Sequence, residues 1–536
     1  METGRWMLYG DSMLPRDWPL ILLATTLSGC LPDPNVEYVP DTGGSGGAVS
    51  TGGVAGAGGS TGGTSSGGAG GAGGTGGVIP TVTLGDVVEL GLAPTAPPPG
   101  ELLVSIGASG AVYMGASYTG TPIVGGVPVL PANNPQMYFI AHSATGQVLW
   151  GPHVVAASNV QTLLGLSVDS DETLLCLSGS TVGPYSLTFG VTNQQTTKHN
   201  LSPFGGGLDG FVAGLAPDTG AGLFAAAVGN MNGSQSCLGA GAFAGGCVVA
   251  GDFVGKLFYQ DAAATPALLQ PEAVGDTFVL RVTPQGEHVG AVGSSSDPAA
   301  VDMAPVSSEL PLALASTGNG AHAVVGAFSN GKMGFGGQPV LDNPSPLNDL
   351  FVARFNANGA LQYQKGFGAP DVADGLAPAK IALNNDGTVA LSGIASAPIG
   401  FGGAELPTGP ILAVLNFDGT HRFSMPLPEG VVPVAIAFSP STDTLAMIGN
   451  FTGAPDFGHG PLTGYGMQDV FAAKWSSVTG ELVWSFSVGG AGDDTALAMN
   501  LAAGGVPVVL ATFAAPTSVG GTAYDAGSML RFKLIE

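Results

Sequence analysis

Phe351-Val352-Ala353-Arg354-Phe355-Asn356-Ala357-Asn358-Gly359 reads as a strand that runs into a tight turn. Successive strand side chains fall on opposite faces, and here both faces are mostly apolar, as in a strand covered on two sides. Asn358 and Gly359 supply the positive φ that a hairpin needs. The pattern returns as Phe139-Ile140-Ala141, Phe211-Val212-Ala213, Phe278-Val279-Leu280, Ile411-Leu412-Ala413 and Phe471-Ala472-Ala473, with a weaker copy at Met529-Leu530-Arg531-Phe532. The first residues lie 72, 67, 73, 60, 60 and 58 positions apart, so the period is about 60–70 residues. A turn glycine follows six copies, at Gly146, Gly220, Gly286, Gly359, Gly419 and Gly480. A new apolar strand then starts, as in Glu481-Leu482-Val483-Trp484.

A second element has the form apolar strand, Gly-x-Phe/Tyr-x-Gly, then Phe-Gly-Gly. It stands at Gly115-Ala116-Ser117-Tyr118-Thr119-Gly120, Gly251-Asp252-Phe253-Val254-Gly255 and Gly449-Asn450-Phe451-Thr452-Gly453. Looser copies are Gly326-Ala327-Phe328, Gly179-Ser180-Thr181, Gly393 and Ala511-Thr512-Phe513; Phe335-Gly336-Gly337 and Phe401-Gly402-Gly403 supply the trailing part. Each unit therefore holds about four short strands. These repeats resemble the bacterial β-propeller repeat of the SBBP type, found in exported and lipid-anchored proteins. The resemblance covers roughly 79–536 and is clearest at 326–370 and 449–500, where Gly492-Asp493-Asp494 also fits. It implies an all-β fold: a propeller of seven blades, each with about four antiparallel strands. A β-helix or a pair of sandwiches is the alternative architecture. The last unit stops on its third strand at Arg531-Phe532-Lys533-Leu534. Residues 79–92, with Val82, Leu84, Val87 and Val88, are expected to supply its fourth and so close the ring.

Ahead of the repeats, Trp18 to Leu27 is an apolar stretch of about ten residues, half of what spans a bilayer. It reads as a signal-peptide core. Leu27-Ser28-Gly29-Cys30 follows and looks like a bacterial lipobox, with Cys30 as the lipidated residue. Counted from Met1 the leading segment is not basic; a start at Met13 gives a more usual length. Leu31 follows the cysteine, and the lack of an acidic residue there favours the outer membrane. Residues 1–29 are thus the expected lipoprotein signal peptide and 30–78 the lipidated tether. Gly43 to Gly77 is almost wholly Gly, Ala, Ser and Thr. Such a stretch cannot bury enough apolar surface to offset its ordering entropy, and as a coil it reaches about 35 Å.

Composition narrows the function. Of 536 residues, 90 are Gly and 40 Pro, which suits strands and turns over helices. Thirteen Lys and Arg against 38 Asp and Glu give −25, so no basic face exists for nucleic acid, and anionic membranes repel the chain. Four cysteines occur without a C-x-x-C pair. Cys237 and Cys247, ten positions apart in a Gly/Ala-rich stretch, could close a small disulfide loop in an oxidising compartment or stay as buried thiols. Cys176, in Leu174-Leu175-Cys176-Leu177, reads as a buried thiol.

No H-E-x-x-H, G-x-S-x-G, P-loop or complete EF-hand is present, so no catalytic or metal-ligating set is assigned. The seven histidines, His142, His153, His199, His288, His322, His421 and His459, read as loop or surface residues. The acidic turns Asp169-Ser170-Asp171-Glu172, Asn384-Asn385-Asp386-Gly387 and Asp493-Asp494 admit calcium, but hairpins select the same residues for backbone reasons. Asp209, Asp276, Asp349 and Asp469 stand two before a core Phe; their recurrence marks them as turn or blade-joining acceptors. The expectation is a monomeric envelope lipoprotein, held to the membrane by its lipid, whose propeller binds an unidentified protein or glycan without catalysis. The alternative is a propeller enzyme acting on glycans through channel carboxylates.

Overall fold

A computed structural model describes residues 82–536, apart from short internal stretches, chiefly 93–101, 156–160, 191–195, 261–267, 296–307 and 369–374. The proposed signal peptide, Cys30 and the tether lie outside the described residues. The fold is a seven-bladed β-propeller. Blades 1 to 6 occupy 103–155, 161–229, 235–295, 308–367, 376–426 and 431–488. Each is a four-stranded antiparallel meander in chain order, and blades 2 and 3 carry added outer strands. The one helix among the described residues is a short 3₁₀ turn, Ala503–Gly505.

Blade 7 takes three strands from 494–535 and its fourth from Thr83–Leu92, which pairs antiparallel with Ser528–Ile535 from Thr83↔Ile535 to Leu92↔Ser528. The closure expected from the sequence is therefore present. Lys533 Nζ meets Asp86 at 2.5 Å, and the Ser528 hydroxyl donates to Glu89 at 2.7 Å across this seam. The first strand of each blade lies against the first strand of the next, all the way round from blade 1 to blade 7 and back. First strands thus surround the centre, and fourth strands form the rim.

There is no single core. Buried side chains fall into seven apolar layers, one at each blade boundary. Strand alternation produces them: Phe211 and Ala213 pack in the layer between blades 1 and 2, while Val212 packs between 2 and 3. Likewise Phe351 lies between blades 3 and 4, and Val352 between 4 and 5. This is why the repeated third strands are apolar on both faces.

The glycine of the second element sits at one register position in the second strands of blades 1 to 6. It faces the core aromatic of the third strand in the pairs Gly115↔Phe139, Gly179↔Phe211, Gly251↔Phe278, Gly326↔Phe351 and Gly449↔Phe471. A Cβ at Gly251 or Gly449 would lie 2.6 Å from the ring. In blade 7 the pair is Ala511↔Leu530, where the aromatic ring is gone and a methyl group fits. The trailing Phe-Gly-Gly has its own task. Phe335 brings the loop of blade 4 onto the edge of blade 3 through Ser294↔Phe335. Phe401, from the loop of blade 5, packs 4.9 Å from Phe367 of blade 4.

Polar side chains also join blades. Trp150 Nε1 donates to Pro217 O at 2.7 Å, Arg354 Nη1 to Phe417 O at 3.1 Å, Arg422 Nη1 to Ser477 O at 3.1 Å and Arg531 Nη1 to Ala144 O at 3.0 Å. Each acceptor belongs to the turn between the third and fourth strands of the following blade. Tyr259 reaches Gly286 O at 2.5 Å and Lys474 reaches Gly505 O at 3.4 Å at two further boundaries.

The cysteines pair differently from the sequence expectation. Cys176 and Cys247 form a disulfide, with Cα atoms 5.9 Å apart, and Cys237 is a buried free thiol. The stretch 235–254 is a strand hairpin, not a loop, in which Cys237 faces Gly251 and Cys247 faces Ala242. Four residues of strand, about 13 Å, separate the two levels, well beyond disulfide reach. Cys176 and Cys247 instead stand on the second strands of neighbouring blades and tie blade 2 to blade 3.

Candidate functional site

The two ends of the propeller differ. Connections between first and second strands, and between third and fourth, are short turns that form one face. Gly146, Gly220, Gly286, Gly359, Gly419 and Gly480 all close such turns with φ from 67° to 83°. The opposite face carries the second-to-third connections, at 121–131, 183–207, 255–273, 330–348, 396–408, 452–468 and 514–527, and the links between blades. Long loops on a rigid scaffold are where binding residues usually gather. Among the described residues of this face, Leu347, Tyr465 and Met467 are exposed, Met467 at 69%. A groove of about 270 Å³ runs where the link from blade 5 to blade 6 meets the loop of blade 6. Pro426, Leu427 and Pro428 form one wall, Phe457 the other, and Trp475 the floor. A shallower hollow of about 470 Å³, walled by Pro428, Glu429 and Pro455, adjoins it. Asp456 stands at the junction, its Oδ1 accepting from Gly458 N at 2.7 Å and Gly460 N at 2.9 Å. The surface suits an apolar or basic segment.

The centre is apolar. Leu310 and Leu312 are 44% and 38% exposed, and Leu164, Leu238, Val434 and Leu497 are half-buried. Register shifts in six of the seven first strands fall at these levels, as at Leu163/Gly165, Cys237/Gly239 and Ala496/Ala498. Among the described residues of the first strands, Glu309 and Asp494 are the acids, and both are buried. The Ser294 hydroxyl donates to Glu309. Gly490 N and Ala514 N donate to Asp494, the latter at 3.1 Å. Burial pushes Asp494 up to about 6 against those bonds. Asp494 thus holds backbone and Glu309 a buried hydroxyl, rather than either lining an open cleft.

Four of the other acids flagged by sequence hold turns. Asp209 accepts from Phe204 N at 3.2 Å and is pushed up to about 6 by burial. Asp469 accepts from Tyr465 N at 2.7 Å and Gly466 N at 3.3 Å. Asp169 accepts from Thr173 N and Leu174 N, each at 2.7 Å, and Asp386 from Thr388 N at 2.8 Å. Among the described residues no group of three or more His, Cys, Asp or Glu is placed to hold a metal ion. The histidine reading needs correction. His142, His153 and His322 are at most 4% exposed. All three sit in strands, with His153 stacked 5.1 Å from Trp150 and His322 stacked 4.9 Å from Phe355.

Sequence reasoning missed the residues that join blades. A cue existed: Arg354 and Lys474 each stand three after a core Phe, and Arg281 holds the same place without such a bond. That recurrence of cations in a chain with so few places them at the repeat boundary.

No family model matches the chain, and no curated protein matches it. Among solved structures it is similar to the RRP9 WD40 repeats, at 10% identity and a TM-score of 0.39, covering 84% of this chain and 100% of that one. It is similar to U3-55K at 10% identity and a TM-score of 0.36, covering 82% and 98%. A protein of unknown function from Dyadobacter fermentans gives 12% identity and a TM-score of 0.34, covering 74% and 99%. The blade count rests on the sheet topology itself.

Proposed function

We propose that this chain is an envelope lipoprotein anchored through Cys30, whose propeller is a noncatalytic module that engages a protein or glycan through its long-loop face. The observation that carries this reading is the asymmetry of the ring. Thr83 pairs with Ile535 at the tight-turn end of the seam, so the chain comes in on that side. The long loops and the apolar groove between blades 5 and 6 lie on the other side, free to meet a partner. The Cys176–Cys247 disulfide supports export, because such bonds persist in oxidising compartments. The enzyme alternative has less support, since the acids of the first strands are engaged by backbone and Ser294.

Two measurements test the reading. Labelled palmitate should enter the wild-type chain and not Cys30→Ser; equal labelling of both removes the anchor. The soluble 79–536 fragment should retain a protein from envelope extract or a glycan on an array, and Trp475→Ala with Phe457→Ala should weaken that retention. Turnover of a glycan by the same fragment would replace binding with catalysis.

A further inference from the structure

Six blade boundaries carry a side chain that donates to a turn carbonyl of an adjoining blade. The boundary between blades 3 and 4 departs from this. Arg281 holds the position of Arg354 and Lys474, but its guanidinium forms no hydrogen bond or ion pair among the described residues, and its Nε is buried without a partner. The charge lies over the Phe243 ring, 5.5 Å from its centroid. Beside it is a hollow of about 110 Å³, walled by Val279, Ala291 and Val292 of blade 3 and by His322 of blade 4. No carboxylate lines it.

We propose that this hollow binds a short aliphatic carboxylate, of the size of acetate or propionate. A guanidinium stays charged at any physiological pH; Arg281 is half-buried, and its Nε is the donor shut off from water without an acceptor, which is costly. Two parallel N–H groups match the two oxygens of one carboxylate. At about 30 Å³ per small non-hydrogen group, the hollow takes roughly four of them. Val279 and Val292, whose side chains face this boundary, would cover the alkyl end. His322 Nδ1 lies 3.1 Å from Gly320 O and donates to it. Burial holds His322 down to about 4, so the ring is neutral near pH 7 and adds no second charge. The site stands apart from the long-loop face and does not depend on the envelope reading.

Gly290 provides the test. A Cβ built there meets no atom within 4 Å, so Gly290→Leu fills the hollow without pressing on the sheet. Isothermal titration of the whole chain with acetate and propionate, in chloride of matched ionic strength, should give saturable binding to the wild type, with Kd on the order of 1 mM. Gly290→Leu should weaken it at least tenfold while melting like the wild type, and Arg281→Met should do the same. If Gly290→Leu melts early, Arg281→Met alone decides. Absence of saturable binding where a millimolar site would be full overturns the proposal, and so does undiminished binding in either folded variant.

Discussion

Gly449→Ala tests the packing rule that repeats through the ring. The added Cβ collides with the Val432 carbonyl oxygen and lies 2.6 Å from Cε1 of Phe471. Overpacking in a tight core costs about 1–3 kcal/mol. A backbone carbonyl cannot swing aside, so the upper end applies. Alanine restricts the unfolded chain and returns about 0.5–1 kcal/mol. The net loss is about 2 kcal/mol, roughly a thirtyfold fall in the folded-to-unfolded ratio and a few degrees in melting temperature. Phe471→Leu alone should cost on the order of 1–2 kcal/mol in lost buried area. Blade 7 already holds the relieved combination, Ala511 facing Leu530. In the Phe471→Leu background the ring contact is gone while the Val432 carbonyl contact stays, so Gly449→Ala should cost about 1 kcal/mol less than in the wild type. Denaturant midpoints of the four proteins in the cycle give the coupling. Additivity within about 0.5 kcal/mol would show that the glycine is not there to admit the ring.

Further outcomes follow from the same contacts. Cys176→Ser should lower stability by up to about 4 kcal/mol, the chain-entropy value for a sequence separation of 71, while Cys237→Ser should change little. Thiol labelling of the denatured, unreduced chain should mark Cys237 and neither Cys176 nor Cys247. Deleting residues 79–92 removes the Thr83–Leu92 ladder and exposes Ser528–Ile535; the truncated ring should melt earlier and self-associate, and unchanged melting would refute the seam. Burial raises Asp209 to about 6, so the folded state keeps a proton that the unfolded chain releases near 4. Its stabilising term is complete below about pH 4 and is lost as pH rises through about 6. The midpoint of Asp209→Asn relative to wild type should rise between pH 4 and pH 7, and a flat difference would refute the shift.

The repeated strands and the ring closure were legible because they rest on local rules. Period-two alternation, turn glycines and a unit lacking one strand can all be read along the chain. The Gly–Phe pairing was visible as two motifs, but their meeting across the register was not. Cys247 could not be paired correctly from spacing, because its partner Cys176 lies on another blade. The buried state of His322 depends on Phe355 and on the hollow beside Arg281, neither adjacent to it in sequence. The apolar centre was equally hidden. Leu164, Leu238 and Leu497 belong to strands whose place at the middle is set by seven-fold closure rather than by their own composition.

The seam strand has a mechanical consequence. Any tension arriving from the residues before Thr83 reaches the ring at the one blade completed by a distant segment. Antiparallel ladder bonds run perpendicular to the strands. A pull along the strand, away from the tight-turn face, loads the pairs from Thr83↔Ile535 to Leu92↔Ser528 together, in shear. A sideways pull loads Thr83↔Ile535 first and peels the rest in turn. The ring should hold against traction along that axis and open under lateral drag.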